Sequence, residues 1–317
     1  MSSPPTLTVL VPCFNEQAVL GELHRRLTGV LAPTGLSYEL LFVDDGSRDG
    51  TLAGLLALQA ADPRVAVLGL SRNFGHQLAL TAGLDHARGE AVVVIDADLQ
   101  DPPELIPRMV ELWRAGSDVV YGQRRARQGE SVFKRGTAAL FYRVMRRLTS
   151  VEIPVDTGDF RLLSRRVVEA MKRLPEHHRF VRGMVAWVGF RQTPLPYERA
   201  PRFAGETKYP LRRMVRFALD AAVSFSFLPL RLTTFAGFAI SLGCFGYAGY
   251  AIWAKLANDV DLPGWASLMV AVMFLGGVQL LGLGIIGEYL GRVYEEVKAR
   301  PLYLVGAWHP ARDPDAP

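Results

Sequence analysis

Ala91-Val-Val-Val-Ile-Asp-Ala-Asp-Leu-Gln-Asp-Pro-Pro-Glu104 is the stretch whose reading decides the fold. Its first five residues are apolar and mostly β-branched, which predicts a strand over residues 91–95. Pro102 and Pro103 then open a helix, where a missing N–H costs nothing. Between strand and helix, Asp96 and Asp98 project two carboxylates from a turn in which alternate residues face one ligand. Two carboxylates joined by diphosphate oxygens make a hard oxygen shell for Mg2+ or Mn2+. A lone D-x-D is weak evidence, because turns are rich in aspartate; an apolar strand before it and Gln100 after it strengthen the signal.

The same alternation runs outward. Strands are predicted over residues 6–11, 38–43, 65–70 and 117–121, and helices over residues 16–31, 51–60 and 74–86. Strands alternating with ten-residue helices imply parallel βαβ units and a doubly wound α/β sheet, which binds ligands at the carboxyl ends of its strands. The polar clusters fall at those ends: Asn15 and Glu16, then Asp44 and Asp45, then Asp96 and Asp98. In Asp44-Asp-Gly-Ser47 the carboxylates either accept hydrogen bonds from ribose hydroxyls or base N–H groups, or simply cap the turn.

Half of the 317 residues are hydrophobic, and most of the surplus lies after Leu228. Residues 232–254 carry no charge, and neither do residues 265–287, whose one amide is Gln279. Each run is long enough to span a hydrocarbon core of roughly 30 Å. Arg212, Arg213, Arg216 and Arg231 precede the first run and Arg292, Lys298 and Arg300 follow the second, whereas the loop between holds Lys255, Asp259 and Asp261. By the positive-inside rule both flanks, and with them the large N-terminal domain, are cytoplasmic. The expected organisation is a catalytic domain over residues 1–210, a juxtamembrane amphipathic helix over 211–229, a transmembrane hairpin over 230–288, and a cytoplasmic helix, short strand and tail over 289–317. Gly282-Leu-Gly-Ile-Ile-Gly287 matches a dinucleotide fingerprint letter for letter, but it lies inside an apolar helix, where small residues serve helix packing.

The net charge of +5 suits an anionic partner. Residues 124–147 hold eight Arg or Lys against Glu130 alone, a local +7 that would attract anionic membrane lipids. No aromatic-interleaved platform accompanies this charge, so nucleic acid is not the expected partner. Cys13 and Cys244 fall in a soluble domain and a membrane helix, poor disulfide partners that fit a reducing compartment. The N-terminus shows no signal peptide.

Together these residues resemble a known family. The carrying motifs are Val11-Pro-Cys-Phe-Asn-Glu16, Val43-Asp-Asp-Gly-Ser-Arg-Asp-Gly-Thr51, Asn73-Phe-Gly-His76 and Asp96-Ala-Asp-Leu-Gln-Asp-Pro-Pro-Glu104. Asp156-Thr-Gly-Asp-Phe-Arg-Leu162, Arg179-Phe-Val-Arg-Gly183 and Ala204-Gly-Glu-Thr-Lys-Tyr209 extend the match, which runs on through the hairpin. The chain is similar to family 2 glycosyltransferases of GT-A fold, and within them to polyprenyl-phosphate glycosyltransferases such as dolichol-phosphate mannose synthases and bactoprenol glucosyltransferases. The resemblance implies that Pro12, Phe14, Glu16, Val43 and Asp45 line the nucleotide pocket. It implies that Asp96, Asp98 and Gln100 hold Mg2+ or Mn2+ and, with Ala97, the donor diphosphate, and that Arg182 is a further donor-phosphate residue. Arg124 and Arg135 would grip the acceptor phosphate, Lys208 belongs to the juxtamembrane motif, and Ala139 stands where some mannose synthases use a serine. Homo-oligomers are also expected from it.

The implied reaction is inverting transfer of a hexose, best read as glucose from UDP-glucose, to undecaprenyl or another polyprenyl phosphate at the plasma (inner) membrane. A phosphate monoester is largely ionised at neutral pH, so it needs no strong base, and Asp98 and Asp159 are the expected catalytic residues. GDP-mannose, UDP-N-acetylglucosamine or a UDP-aminoarabinose-type donor are alternatives, as is a non-catalytic nucleotide-sugar-binding scaffold. A processive polysaccharide synthase is disfavoured by the missing Q-x-x-R-W, and a nucleotidyltransferase by the missing glycine-rich first loop. At the C-terminus, residues 289–298 predict a helix emerging into the cytosol, and residues 301–305 a strand that pairs with a neighbouring subunit.

Overall fold

The computed structural model describes residues 4–124, 157–177, 179–198, 228–258 and 264–312. They fall into two units, an α/β unit that includes residues 301–312 and a helical unit ending at residue 300. Arg135, Ala139, Lys208, the basic run after Arg124, the juxtamembrane segment before Leu228 and the outer-loop aspartates lie outside the described residues.

In chain order the α/β unit comprises β1 (Leu7–Cys13), α1 (Leu20–Leu31), β2 (Tyr38–Asp44), α2 (Thr51–Ala61), β3 (Val65–Leu70), α3 (His76–His86) and β4 (Ala91–Val94). Then follow α4 (Ile106–Arg114), β5 (Val119–Arg124), β6 (Thr157–Ser164), α5 (Arg165–Lys172), α6 (Val181–Trp187) and β7 (Gln192–Tyr197). The helical unit holds α7 (Leu228–Asn258) and α8 (Trp265–Lys298), after which β8 (Val305–His309) returns to the sheet.

One eight-stranded sheet runs in the order β7-β5-β6-β4-β1-β2-β3-β8. The block β4-β1-β2-β3 is parallel, as expected. Strand β6, which the sequence pattern did not announce, is inserted antiparallel between β4 and β5. Its residues are buried on both faces, so alternation is replaced by a mixed run, Thr-Gly-Asp-Phe-Arg-Leu-Leu-Ser, that carries no period of two. The inner strands alternate between two cores: Leu7, Val9 and Val11 of β1 pack with α1 and α4, while Leu10 packs with α3, α5 and α6. Each fully buried Leu or Val contributes roughly 1.5–3 kcal/mol, and this α/β/α sandwich is built almost wholly from such residues.

Several boundaries differ from expectation for local reasons. Helix α1 starts at Leu20 rather than residue 16, because Asn15 sits at φ 56° and interlocks with the loop after β2. Helix α3 starts at His76 rather than residue 74, because the N–H groups of Phe74 and Gly75 are given to Asp45. The expected helix over 289–298 is the continuation of α8, which closes only at Ala299, φ 46°, two residues before Pro301.

The C-terminal strand is a correction in place. It spans Val305–His309 rather than 301–305 and pairs antiparallel with β3 of its own chain. Strand β3 would otherwise leave a row of unpaired N–H and C=O groups at the sheet edge. Gln59 Nε2 donates to the carbonyls of His309 and Pro310 (both 3.0 Å), and Tyr303 Oη donates to Asp85 (2.9 Å).

Helices α7 and α8 enclose both predicted spans and touch each other. Leu268–Lys298 is long and apolar enough to cross a membrane by length and composition, and Thr233–Tyr247 is a shorter apolar stretch. Both cysteines are free.

Candidate active site

The site is built at the carboxyl edge of the parallel block. Strand β6 runs against β4 with Val94 opposite Arg161, so two further residues along each strand bring Asp159 opposite Asp96. Facing carboxylates repel, and the sequence supplies their counter-charges from two other elements. His76, the first residue of α3, places Nε2 3.1 Å from Asp159 Oδ2 and 3.7 Å from Asp96 Oδ1. Arg182, on α6, chelates Asp159 with Nε and a terminal nitrogen at 2.8 and 3.1 Å.

Electrostatics then separates the two aspartates. Burial would raise the Asp159 pKa, but its hydrogen bonds from His76 and Arg182 outweigh that and hold it well below the usual carboxylate range. Asp96 has no such chelate, and burial pushes it up to about 6. Burial works against charge on His76 too, yet Asp159 and Asp96 prevail and its pKa is raised. Asp96 Oδ1 is buried and has no hydrogen-bond partner among the described residues.

Ligand atoms of His76, Asp96 and Asp159 lie within 4.8 Å of one another, and Asp98 and Gln100 stand on the same turn. The turn is held by Leu99, whose φ of 58° is rare for a bulky residue and whose side chain is anchored in the core. Asp98 Oδ1 accepts from the backbone N–H of Gln100 at 3.2 Å. A buried carboxylate oxygen without a donor, in a turn of oxygen ligands, fits a hard divalent cation.

The loop after β2 is assembled by close backbone contact. A Cβ on Gly46 would lie 2.4 Å from the Arg72 carbonyl carbon, so only glycine lets the loops meet. That contact brings the Asp45 carboxylate to Asn73 Nδ2 (2.9 Å), Phe74 N (2.7 Å) and Gly75 N (2.9 Å). Asp44 accepts from Ser47 N at 3.3 Å. Of the two readings of this pair, the turn-capping one describes Asp44, while Asp45 clasps the loop that delivers His76.

The description "Glycosyl transferase family 2" matches residues 8–171, and "GtrB C-terminal hairpin" matches residues 228–293. The chain belongs to glycosyl transferase family 2. This family 2 glycosyltransferase is 53% identical over 299 residues to the glycosyltransferase sll0501 of Synechocystis, covering 94% of each chain. It is 41% identical over 303 residues to the SfII prophage-derived bactoprenol glucosyl transferase of Shigella flexneri, covering 96% of this chain and 98% of that one. A solved mannosyltransferase from Pyrobaculum calidifontis, in complex with GDP-Man and Mn2+, is 19% identical with a TM-score of 0.45, covering 94% of this chain and 86% of that one. The hairpin match and the apolar α8 point to membrane association.

Among the residues expected to line the enzyme's nucleotide pocket, Phe14 is 42% exposed and Glu16 half-buried. Pro12 is buried, and the Val43 and Ala97 side chains belong to the cores, so they support the cleft from behind. Asp45 is only 2% exposed, with its carboxylate committed to residues 73–75. Gln100 is buried, and Arg182, expected to meet the donor phosphate, chelates Asp159 while staying partly exposed. Three partners were not singled out from sequence: His76, Asp101 and Tyr197. His76 carried a readable signal, since it follows Gly75 at a helix start on the carboxyl edge of β3. Tyr197 carried none, because its strand was not predicted.

Proposed function

We propose that this family 2 glycosyltransferase moves glucose from UDP-glucose to a polyprenyl phosphate, with inversion, at the cytoplasmic face of the plasma membrane. The observation that carries the reading is the buried Asp96 Oδ1 in the D-x-D turn, which accepts no hydrogen bond among the described residues, opposite the chelated Asp159. The named activity of the Shigella relative, matched over nearly the full length of both chains, supports glucose and a bactoprenol-type acceptor.

Asp96, Asp98 and Gln100 would hold Mg2+ or Mn2+, which when bound neutralises charge on the departing diphosphate. Phe14 and Glu16 contact the nucleotide, and Asp45 keeps the neighbouring loop in place for it. Arg124 and Arg135 orient the acceptor phosphate through guanidinium forks that match phosphate geometry, and Lys208 adds the point charge of its ammonium. An ionised phosphate oxygen attacks the anomeric carbon in line; the bond from that carbon to the nucleotide diphosphate breaks, and UDP leaves with the bonding pair. No proton has to be removed from the nucleophile, since the second phosphate pKa is near 6. Asp159, kept ionised by His76 and Arg182, is therefore not asked to act as a base; it fixes the geometry around the reacting carbon. The large domain and both termini are read as cytoplasmic, and the enzyme as a homo-oligomer on family resemblance alone.

Donor identity is tested by offering UDP-glucose, UDP-N-acetylglucosamine and GDP-mannose, each radiolabelled in the sugar, with undecaprenyl phosphate and Mn2+. Lipid label from UDP-glucose alone is the expected result; label from another donor only would overturn the glucose assignment.

A further inference from the structure

Arg124, assigned above to the acceptor phosphate, is the last residue of β5 and is held from two sides. The parallel register of β5 and β7 sets Arg124 directly beside Tyr197. Arg124 Nε donates to Tyr197 Oη at 3.4 Å, and that hydroxyl in turn donates to Asp101 Oδ1. Asp101 is fully buried and Tyr197 is 5% exposed, so this hydroxyl has one fixed position. The Tyr197 ring stands edge-on to Phe160, centroids 6.0 Å apart at 80°.

The second side is Gly158. Pairing between β5 and β6 slips between Tyr121 and Gln123, so that Gly122 alone faces the stretch Gly158 to Phe160. Such bulges re-aim side chains beside active sites. Here the slip lays the Arg124 guanidinium on the bare face of Gly158, where an added Cβ would come within 2.5 Å of its terminal nitrogen. Arg161 fixes the same residue from behind by donating to the Gly158 carbonyl at 2.8 Å. Asp101 is the third aspartate of the Asp96-to-Asp101 run, and it accepts from Tyr197.

We propose that Tyr197, anchored on Asp101, is a positioning residue that sets the Arg124 guanidinium over Gly158 to receive the acceptor's phosphate. The inference rests on the assignment of Arg124 to that phosphate. Without the hydroxyl, the guanidinium keeps its charge and loses its aim, so acceptor affinity falls while donor affinity does not.

The test uses full-length enzyme in detergent with UDP-glucose, Mn2+ and undecaprenyl phosphate, and the variants Tyr197→Phe, Gly158→Ala and Arg124→Ala. Gly158→Ala leaves the Tyr197–Asp101 pair intact and displaces only the guanidinium, so it guards against a folding defect in Tyr197→Phe. Each of the first two raises KM for the lipid phosphate by roughly tenfold, the value of one charge-assisted hydrogen bond. KM for UDP-glucose stays within about twofold, and Tyr197→Phe adds nothing further in an Arg124→Ala background. Equal rises in both KM values would mark a structural role and overturn the proposal. If Arg124→Ala raises the lipid KM while Tyr197→Phe and Gly158→Ala leave it unchanged, the positioning claim falls alone. An Arg124→Ala enzyme with an unchanged lipid KM overturns the acceptor assignment of Arg124 and the positioning claim with it.

Discussion

Asp45 shows how much a single carboxylate can organise. Its two oxygens accept three donors from residues 73–75, and those residues lead directly into His76. Asp45→Asn would place an amide N–H₂ against donors that need an acceptor, at about 1–3 kcal/mol for each group left unsatisfied. The expected outcome is a roughly tenfold weaker Kd for UDP-glucose by calorimetry, with the loop as intermediary; unchanged donor binding would show that the clasp is dispensable. At this scale the D-x-D turn was legible, because strand, turn and proline-led helix leave a local signature, whereas Asp159 was named through the family resemblance. His76 and Arg182 as partners of Asp159 were not, because their meeting depends on an antiparallel strand, β6, whose placement no local pattern specifies. Arg182 shows what the motif alone did not announce, the chelation of a buried aspartate.

Elements far from the site carry stability, and their polar contacts are separable from chemistry. At the opposite edge of the sheet, Glu39 on β2 accepts from Thr8 Oγ1 (2.6 Å), the Arg88 backbone N–H (2.9 Å) and the Arg88 guanidinium (2.8 Å). Glu39→Ala strips a buried carboxylate from three donors and is expected to cost about 1–3 kcal/mol, seen as a lower denaturation midpoint, with kcat unchanged in the folded fraction. Between α2 and β3, Asp62 accepts from Arg64 Nε (2.9 Å) and lies 3.0 Å from His24 Nε2. Burial raises its pKa, but the hydrogen bonds from Arg64 and His24 win and lower it. A carboxylate whose folded pKa lies below its unfolded value of about 3.9 stabilises above that pH and loses the contribution as pH falls through the folded value. The Tm difference between wild type and Asp62→Asn should therefore narrow as pH drops from about 5 to 3; a gap that widens with acid would contradict the pairing. The parallel block was legible as β-branched runs separated by helices of the right length. Strands β6, β7 and β8 were not: the first is buried without alternation, the second contains prolines, and the third is fixed by the free edge of β3 rather than by its own sequence.

The whole molecule joins a catalytic α/β unit to an apolar helical hairpin and then brings the chain back to finish the sheet at β8. Uninterrupted apolar runs announce long helices plainly, which is why α7 and α8 were legible, and the helix expected over residues 289–298 is the end of α8. On this scale the proposed acceptor is an ionised lipid phosphate, and a site that receives it works without a base. This is tested most directly by measuring glucose transfer from radiolabelled UDP-glucose to undecaprenyl phosphate and, in parallel, to undecaprenol, with Mn2+ and with EDTA. The account predicts labelled lipid from the phosphate in Mn2+, none in EDTA, and none from the alcohol; comparable transfer to the alcohol, or none to the phosphate, would contradict it.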